Sequence, residues 1–227
     1  MKKVKLFGLL ILLACSLGFP LVFSNPAVTS VAVFTLIFAG AAVSWNIFSG
    51  YTGYISLGHV SFYGIGAYTL AIACKAWNIQ GGYVPFLLFP LSGLVAGVCA
   101  IPLGWIALRT RRVAFIVVTI AIFFILQLLA YNLPAITQGS NGMLLPFPTW
   151  SGDVFNLPFY YAALVILLLA LVVSWGVRHS KYGLGLLAIR DDEDRALSLG
   201  VKTGLYKMGA FVISGFLVGL TGAAYAY

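Results

Sequence analysis

The chain has 227 residues, 62% of them hydrophobic and only 8% charged, with a mean hydropathy of +1.04. That composition lies far outside the soluble globular range and excludes an ordinary aqueous domain. The net charge of +8 is carried by short basic clusters between apolar runs, so it is read as a set of topology signals and not as a nucleic-acid footprint.

The first element follows Lys2, Lys3 and Lys5 and is apolar over about 6–24. Within it "LLACS" (Leu12–Ser16) resembles a lipoprotein cleavage box. The stretch before Cys15 is short and the apolar run continues to Phe23, so the segment is read as a retained first span. No Lys, Arg, Asp or Glu occurs from Leu6 to Cys74, and further charge-free runs cover 76–108, 113–152, 154–177 and 208–227. A bilayer core takes about 20 apolar residues per helix. The runs therefore divide into spans near 6–24, 27–49, 59–77, 84–108, 113–133, 159–177 and 207–227. Backbone polar groups in lipid need internal partners, so the expected fold is an all-α polytopic bundle of about seven spans, one membrane domain over 1–227. If the N-terminus is cytoplasmic, twelve of the thirteen basic residues fall inside and only Lys75 outside.

Between the second and third spans stands "GYTGYISLGHVSFYGIGAY" (Gly50–Tyr68), with five glycines, five aromatics, one histidine and no charge. Gly50, Gly53 and Gly58 are expected to interrupt a helix, while Gly64 and Gly66 thin it for close approach by another backbone. Asn46, Ser56, His59 and Ser61 are the nearby polar groups. Two readings stay open: a glycine-packed turn with satisfied polar residues, or a discontinuous helix beside a translocation path. His59 reads as a packing histidine, and with one other histidine in the chain no metal site is expected. Cys15, Cys74 and Cys99 sit in apolar segments as small packing residues. The GxxxG patterns Gly93–Gly97 and Gly215–Gly219 are read as packing within the chain in preference to a dimer contact.

Two polar interludes come next. The first, about 134–158, carries four prolines and three glycines in Leu133–Pro158 and reads as an ordered external loop. The second, about 178–206, reads as a cytoplasmic loop; Arg178–Lys207 holds ten of the eighteen charged residues. Inside it "DDEDRALSLG" is expected to be a short amphipathic helix. Asp191, Asp192 and Glu193 would favour its N-terminal dipole, and Gly200 would stop it. The acids Asp191, Asp192, Glu193 and Asp194 admit three readings. A Mg²⁺ site in an integral-membrane enzyme would want more carboxylates than the remaining Asp153 supplies. A solvated helix start is the second reading, and docking on a cytoplasmic partner, favoured by the apolar residues behind the acids, is the third. No nucleophile–base set, phosphate loop or intramembrane acid is present, so no catalytic residue and no cofactor are expected, and energy would come from elsewhere.

Three blocks carry a family resemblance: "NIFSGYTGYISLGHVSFYGIGAY" (Asn46–Tyr68), "TQGSNG" (Thr137–Gly142) and Ser180–Ala226. In that order they resemble the inner-membrane permease subunits of branched-chain amino acid ABC importers, of the M type. The resemblance implies a multi-pass protein of a bacterial inner membrane. Its partners would be a sister permease, two cytoplasmic ATPases that hydrolyse the ATP, and a periplasmic solute-binding protein. It also implies that Asp194, Ala196 and Gly200, with Arg195 between them, match the acid–x–Ala–x–x–x–Gly loop that docks on the ATPase. Asp194 stands where relatives have Glu, Arg195 where they have Ala, and Tyr54 where they have a polar Gln. Relatives continue with further spans past the position of Tyr227, so the chain reads as C-terminally truncated. A related importer of urea or another small amide is the nearest alternative, followed by the membrane enzyme and a non-catalytic assembly subunit.

Overall fold

Proline, asparagine and glycine decide where the apolar runs break. The computed structural model of the protein describes residues 14–23, 25–148, 150 and 155–227, and all regular structure among them is helical. Residues 14–22 form α1. Asn25 then caps α2 (Pro26–Thr52): its Oδ1 accepts from the Ala27 N–H at 3.0 Å and Pro26 fills the first turn. Gly53, at a left-handed φ of +72°, stops it. The chain continues through α3 (His59–Ala76), α4 (Val84–Leu87), α5 (Phe89–Ala107), α6 (Arg112–Asn132) and α7 (Pro134–Thr137). After a 3₁₀ turn at Gly139–Asn141 come α8 (Leu157–His179), α9 (Lys181–Asp191), α10 (Glu193–Ser198) and α11 (Thr203–Ala226).

Five segments are long and apolar enough to cross a membrane: α2, Val84–Ala107, α6, α8 and α11, of 21 to 27 residues. At 1.5 Å per residue even the shortest reaches about 31 Å, the thickness of a hydrocarbon core. The fold is the all-α membrane bundle that composition demands. α3, at 18 residues, is less apolar because of its glycines and hydroxyls, and it packs inside the bundle against α5 and α11. The segment expected at 6–24 begins outside the described residues, as do Lys2, Lys3 and Lys5; Asp153 also lies outside them.

Small residues bring the helices together. α11 sits at the centre, against α2, α3 and α5. α3 runs parallel to it so closely that a Cβ on Gly66 would overlap the Gly219 carbonyl, and one on Gly222 the Tyr63 carbonyl. α5 runs antiparallel, with Gly93 on Leu220 and Phe216, and Gly104 on Phe211 and Met208. Gly219 in turn faces Ala96, Ser92 and Gly93, so the two GxxxG patterns pack on each other within the chain. α2 and α8 are parallel. Asn156 Nδ2 donates to Pro26 O at 2.9 Å near one end, and Tyr51 Oη bonds Ser174 Oγ at 2.7 Å near the other.

These directions give the bundle two unlike ends. One gathers the C-termini of α2, α5 and α8, the starts of α3, α6 and α11, and all of α9 and α10. Of the ten Lys and Arg among the described residues, nine lie at or near this end; Lys75 is at the other. The second end is aromatic: Tyr83 lies 4.6 Å from Trp150 and Phe86 5.1 Å from Tyr227 between centroids, and Tyr227 Oη donates to Gly82 O at 2.6 Å. It also carries α7 and the Gln138–Gly142 turn, where Gln138 takes a φ of +61°.

Candidate functional site

Two of the stretches singled out in the sequence meet at the basic end. The helix break spans Gly53–Gly58 and not Gly50–Gly58: Gly50 lies inside α2, where its missing side chain leaves room for that of Asn46. The break is therefore at the end of the bundle and not midway through a span. Its backbone is satisfied by neighbouring side chains. Thr52 Oγ1 accepts from Tyr54 N–H (3.2 Å), Ser49 Oγ from Ser56 N–H (3.1 Å), and Thr119 Oγ1 of α6 from Leu57 N–H (3.3 Å). Trp45 Nε1 donates to Ser56 O at 2.8 Å. Gly58 abuts the Thr119 carbonyl, which any side chain there would displace.

His59 opens α3 beneath this turn, 4% exposed and ringed by Phe48, Phe62 and Phe211 at 5.3 to 5.7 Å between centroids. Its Nδ1 lies 2.7 Å from Ser56 Oγ and its Nε2 2.8 Å from Ser214 Oγ. Ser214 spends its single hydroxyl proton on Ser44 O at 2.7 Å. It must therefore accept from Nε2–H, which leaves Nδ1 to accept from Ser56. Both ring nitrogens are used, so His59 is a structural link between the turn and α11. Ser61 Oγ and Tyr63 Oη are buried without a hydrogen-bond partner among the described residues. Gly64 has no atom within 4 Å of the place its Cβ would take, unlike Gly66, so the expectation of close approach at both is corrected for Gly64. One helical step of two residues turns Gly64 away from α11.

Above the turn lies the segment expected as a cytoplasmic loop over about 178–206. It is helical for most of its length, with α8 reaching His179 and α11 starting at Thr203. Nor is Asp191–Gly200 one helix. Asp191 is the last residue of α9, at the end the helix dipole disfavours for an acid. Asp192 is extended (φ −155°) and caps α10, its Oδ1 accepting from Asp194 and Arg195 N–H at 3.0 Å each. Those N–H groups, that of Arg195 foremost, and the Arg195 guanidinium hold its carboxyl below the usual range. Gly200, at φ +85°, closes the segment as expected. Ala196 is buried against the bundle, while Leu197 and Leu199 stand 55% and 84% exposed. α10 thus offers solvent an apolar edge beside the exposed Asp194 and Arg195.

Four side chains tie this segment down. Arg190 Nη1 donates to Gly50 O at 2.9 Å, and Arg111 pairs with Asp194 at 3.1 Å. Lys207 Nζ pairs with Glu193 Oε1 at 2.5 Å, and Tyr54 Oη donates to Glu193 Oε2. Burial would raise the Glu193 carboxyl, but the bonds from Lys207 and Tyr54 outweigh it and the net shift is downward. Burial and that carboxylate push the Tyr54 hydroxyl up to about 12, which keeps it a donor. Sequence reasoning counted Lys207 among topology signals and missed Ser44, Thr119 and Ser214. A lone lysine one turn inside an apolar helix was the available signal, because such a charge needs a partner. Among the described residues no three His, Cys, Asp or Glu are grouped to hold a metal ion. The site can hold and position its elements; its one hydroxyl–imidazole pair, Ser56 and His59, is sealed among Phe48, Phe62 and Phe211, with His59 only 4% exposed.

Residues 27–227 match the family described as the branched-chain amino acid transport system / permease component. The high-affinity branched-chain amino acid transport system permease protein LivM of Salmonella typhimurium strain LT2 is 31% identical over 250 aligned residues. LivM of Escherichia coli K12 is 30% identical over the same length. Each alignment covers 99% of this chain and 57% of the relative, so the chain spans little more than half the length of those proteins. No solved structure matches the chain significantly.

Proposed function

Because this chain belongs to the branched-chain amino acid transport permease family, we propose that it is the membrane-spanning subunit of an ATP-driven importer that moves branched-chain or related amino acids across a bacterial inner membrane. The basic end then faces the cytoplasm, the N-terminus lies on the same side, and α3 and the segment near 6–24 complete seven crossings. A sister permease, two cytoplasmic ATPases and a periplasmic solute-binding protein are its partners. ATP is hydrolysed on the ATPases.

The observation that carries this reading is α10. It is a capped, hinged helix at the basic end, apolar on its outer edge through Leu197 and Leu199 and fixed on its inner side through Ala196 and Glu193. Exposed leucines on an aqueous end suit a partner cleft. The hydrogen bonds of His59 and the tight turn support packing and positioning over substrate contact for Gly53–His59. The test is ATP-dependent uptake into liposomes holding the protein with the subunits that co-purify with it. Leucine accumulation that stops without ATP is expected. ATP-driven accumulation of urea but not leucine would move the substrate to the small amides, and uptake without any ATPase would overturn the reading.

A further inference from the structure

The Gly53–Gly58 turn and the Asp192 hinge are about 140 positions apart in sequence, yet one carboxylate joins them. Glu193 is the first residue of α10, immediately after the hinge. It accepts from Tyr54 Oη in the turn and from Lys207 Nζ in α11. The ammonium also sits 3.4 Å from Tyr54 Oη and 4.5 Å from the centre of its ring. The Lys207 and Glu193 side chains are 5% and 14% exposed, and of the three ion pairs among the described residues this alone is buried. Charges so far removed from water persist only as partners.

The other ties explain why this one matters. α10 has six residues, too few to hold its shape by itself. Arg190 grips Gly50 O from before the hinge and so cannot restrain α10 beyond it. Arg111 and Asp194 are 67% and 71% exposed, and such pairs contribute little. Lys207 and Ser214 are seven residues apart and share a face of α11, and Tyr54 is followed by Ser56 in the turn and by His59 where the turn enters α3. The same two elements, turn and α11, are therefore stapled twice: by His59–Ser214 inside the bundle and by Tyr54–Lys207 at its edge. Only the outer staple includes α10.

We propose that Glu193, Lys207 and Tyr54 form a latch that makes α10, the Gly53–Gly58 turn and the start of α11 move as one body. Displacement of α10 then reaches the Ser56–His59–Ser214 links instead of being absorbed at Asp192. The inference rests on the reading of α10 as the partner-docking element, and Lys207 and Tyr54 act in it as positioning residues.

The test separates holding the fold from transmitting motion. Replacing both charges by apolar groups, Glu193→Leu with Lys207→Met, leaves no orphan ion, so the protein should assemble at normal yield. Spin labels at Ile55 and Leu199, both exposed, then report the distance between turn and α10 in the protein alone in lipid nanodiscs, with Cys15→Ala, Cys74→Ala and Cys99→Ala. One narrow distribution is expected for the native pair and a broad one for the double variant and for Tyr54→Phe. In the full complex the double variant should still hydrolyse ATP but take up about ten-fold less solute per ATP. An unchanged narrow distribution in the double variant overturns the latch, as does native uptake per ATP. If the native complex shows no ATP-driven uptake, the permease reading fails, and the distances alone decide the latch by the same outcomes.

Discussion

α6 and α11 differ in a way that apolarity alone would order wrongly. α6 is the most apolar of the five long segments, yet only 11% of its apolar window is buried; α11 is the least apolar, and 67% of its window is buried. In water the oily helix would be driven inside. In lipid there is no such drive, and helices associate through close packing and hydrogen bonds. α11 has the means for both, with Gly215, Gly219 and Gly222 against neighbouring helices and Ser214 and Lys207 bonded across them. α6 offers Val117, Ile125 and Leu128 to its surroundings and is held mainly at its start, where Phe115 and Thr119 meet the turn.

The sharpest way to break this contrast is to add bulk where the backbones touch. Gly66→Leu must push α3 off the Gly219 carbonyl. Overpacking costs about 1–3 kcal/mol when side chains can give way, and a backbone neighbour puts this site at or above the upper figure. Loss of monodisperse protein is expected by size-exclusion chromatography, whereas Gly64→Leu, with open space before it, should elute normally. Equal behaviour of the two variants would show that small residues do not set the α3–α11 contact.

A smaller effect separates the charged anchor of α11 from the uncharged α6. The Glu193 carboxyl lies below its ordinary 4.5 when folded, against its burial, because of Lys207 and Tyr54. A lowered acid contributes stability that is fully present above the ordinary value and is lost as the pH falls through the folded one. The thermal midpoint should therefore drop as the pH falls below 4.5, and the part due to this group should vanish in Glu193→Gln. A native midpoint that stays flat through that acid range would mean that the pair contributes nothing. The smallest change is expected on α6 itself: Val117→Ala and Leu128→Ala should move the midpoint by an amount equivalent to about 0.5 kcal/mol or less. A loss of several times that would place α6 in a packed contact.

The apolar runs, the capping residues and the two GxxxG patterns carried most of the fold, because in lipid length and small residues dominate. The stop at Gly200 was equally readable, since a left-handed cap leaves a local mark, whereas Ala196, grouped in the sequence with the docking residues, is buried against this chain's own bundle. The unreadable part depended on phase and on distant partners. Gly64 and Gly66 look alike in sequence and differ only in which faces α11. Four consecutive acids suggest one helix start, but only Asp192 could cap, so Asp191 went to the preceding helix. Lys207 was counted with the topology signals, because its partner Glu193 is close in sequence but reaches it only through the fold of α10.

The docking role proposed for α10 depends most on the basic end facing the cytoplasm, for without that the helix would have no ATPase to meet. Single cysteines at Leu144, 97% exposed at the aromatic end, and at Leu199, 84% exposed at the basic end, test it with a membrane-impermeant thiol reagent. In intact cells Leu144→Cys should be labelled and Leu199→Cys protected, and inverted vesicles should reverse the pattern. Labelling of Leu199→Cys from outside intact cells would contradict the orientation, and the docking role of α10 with it.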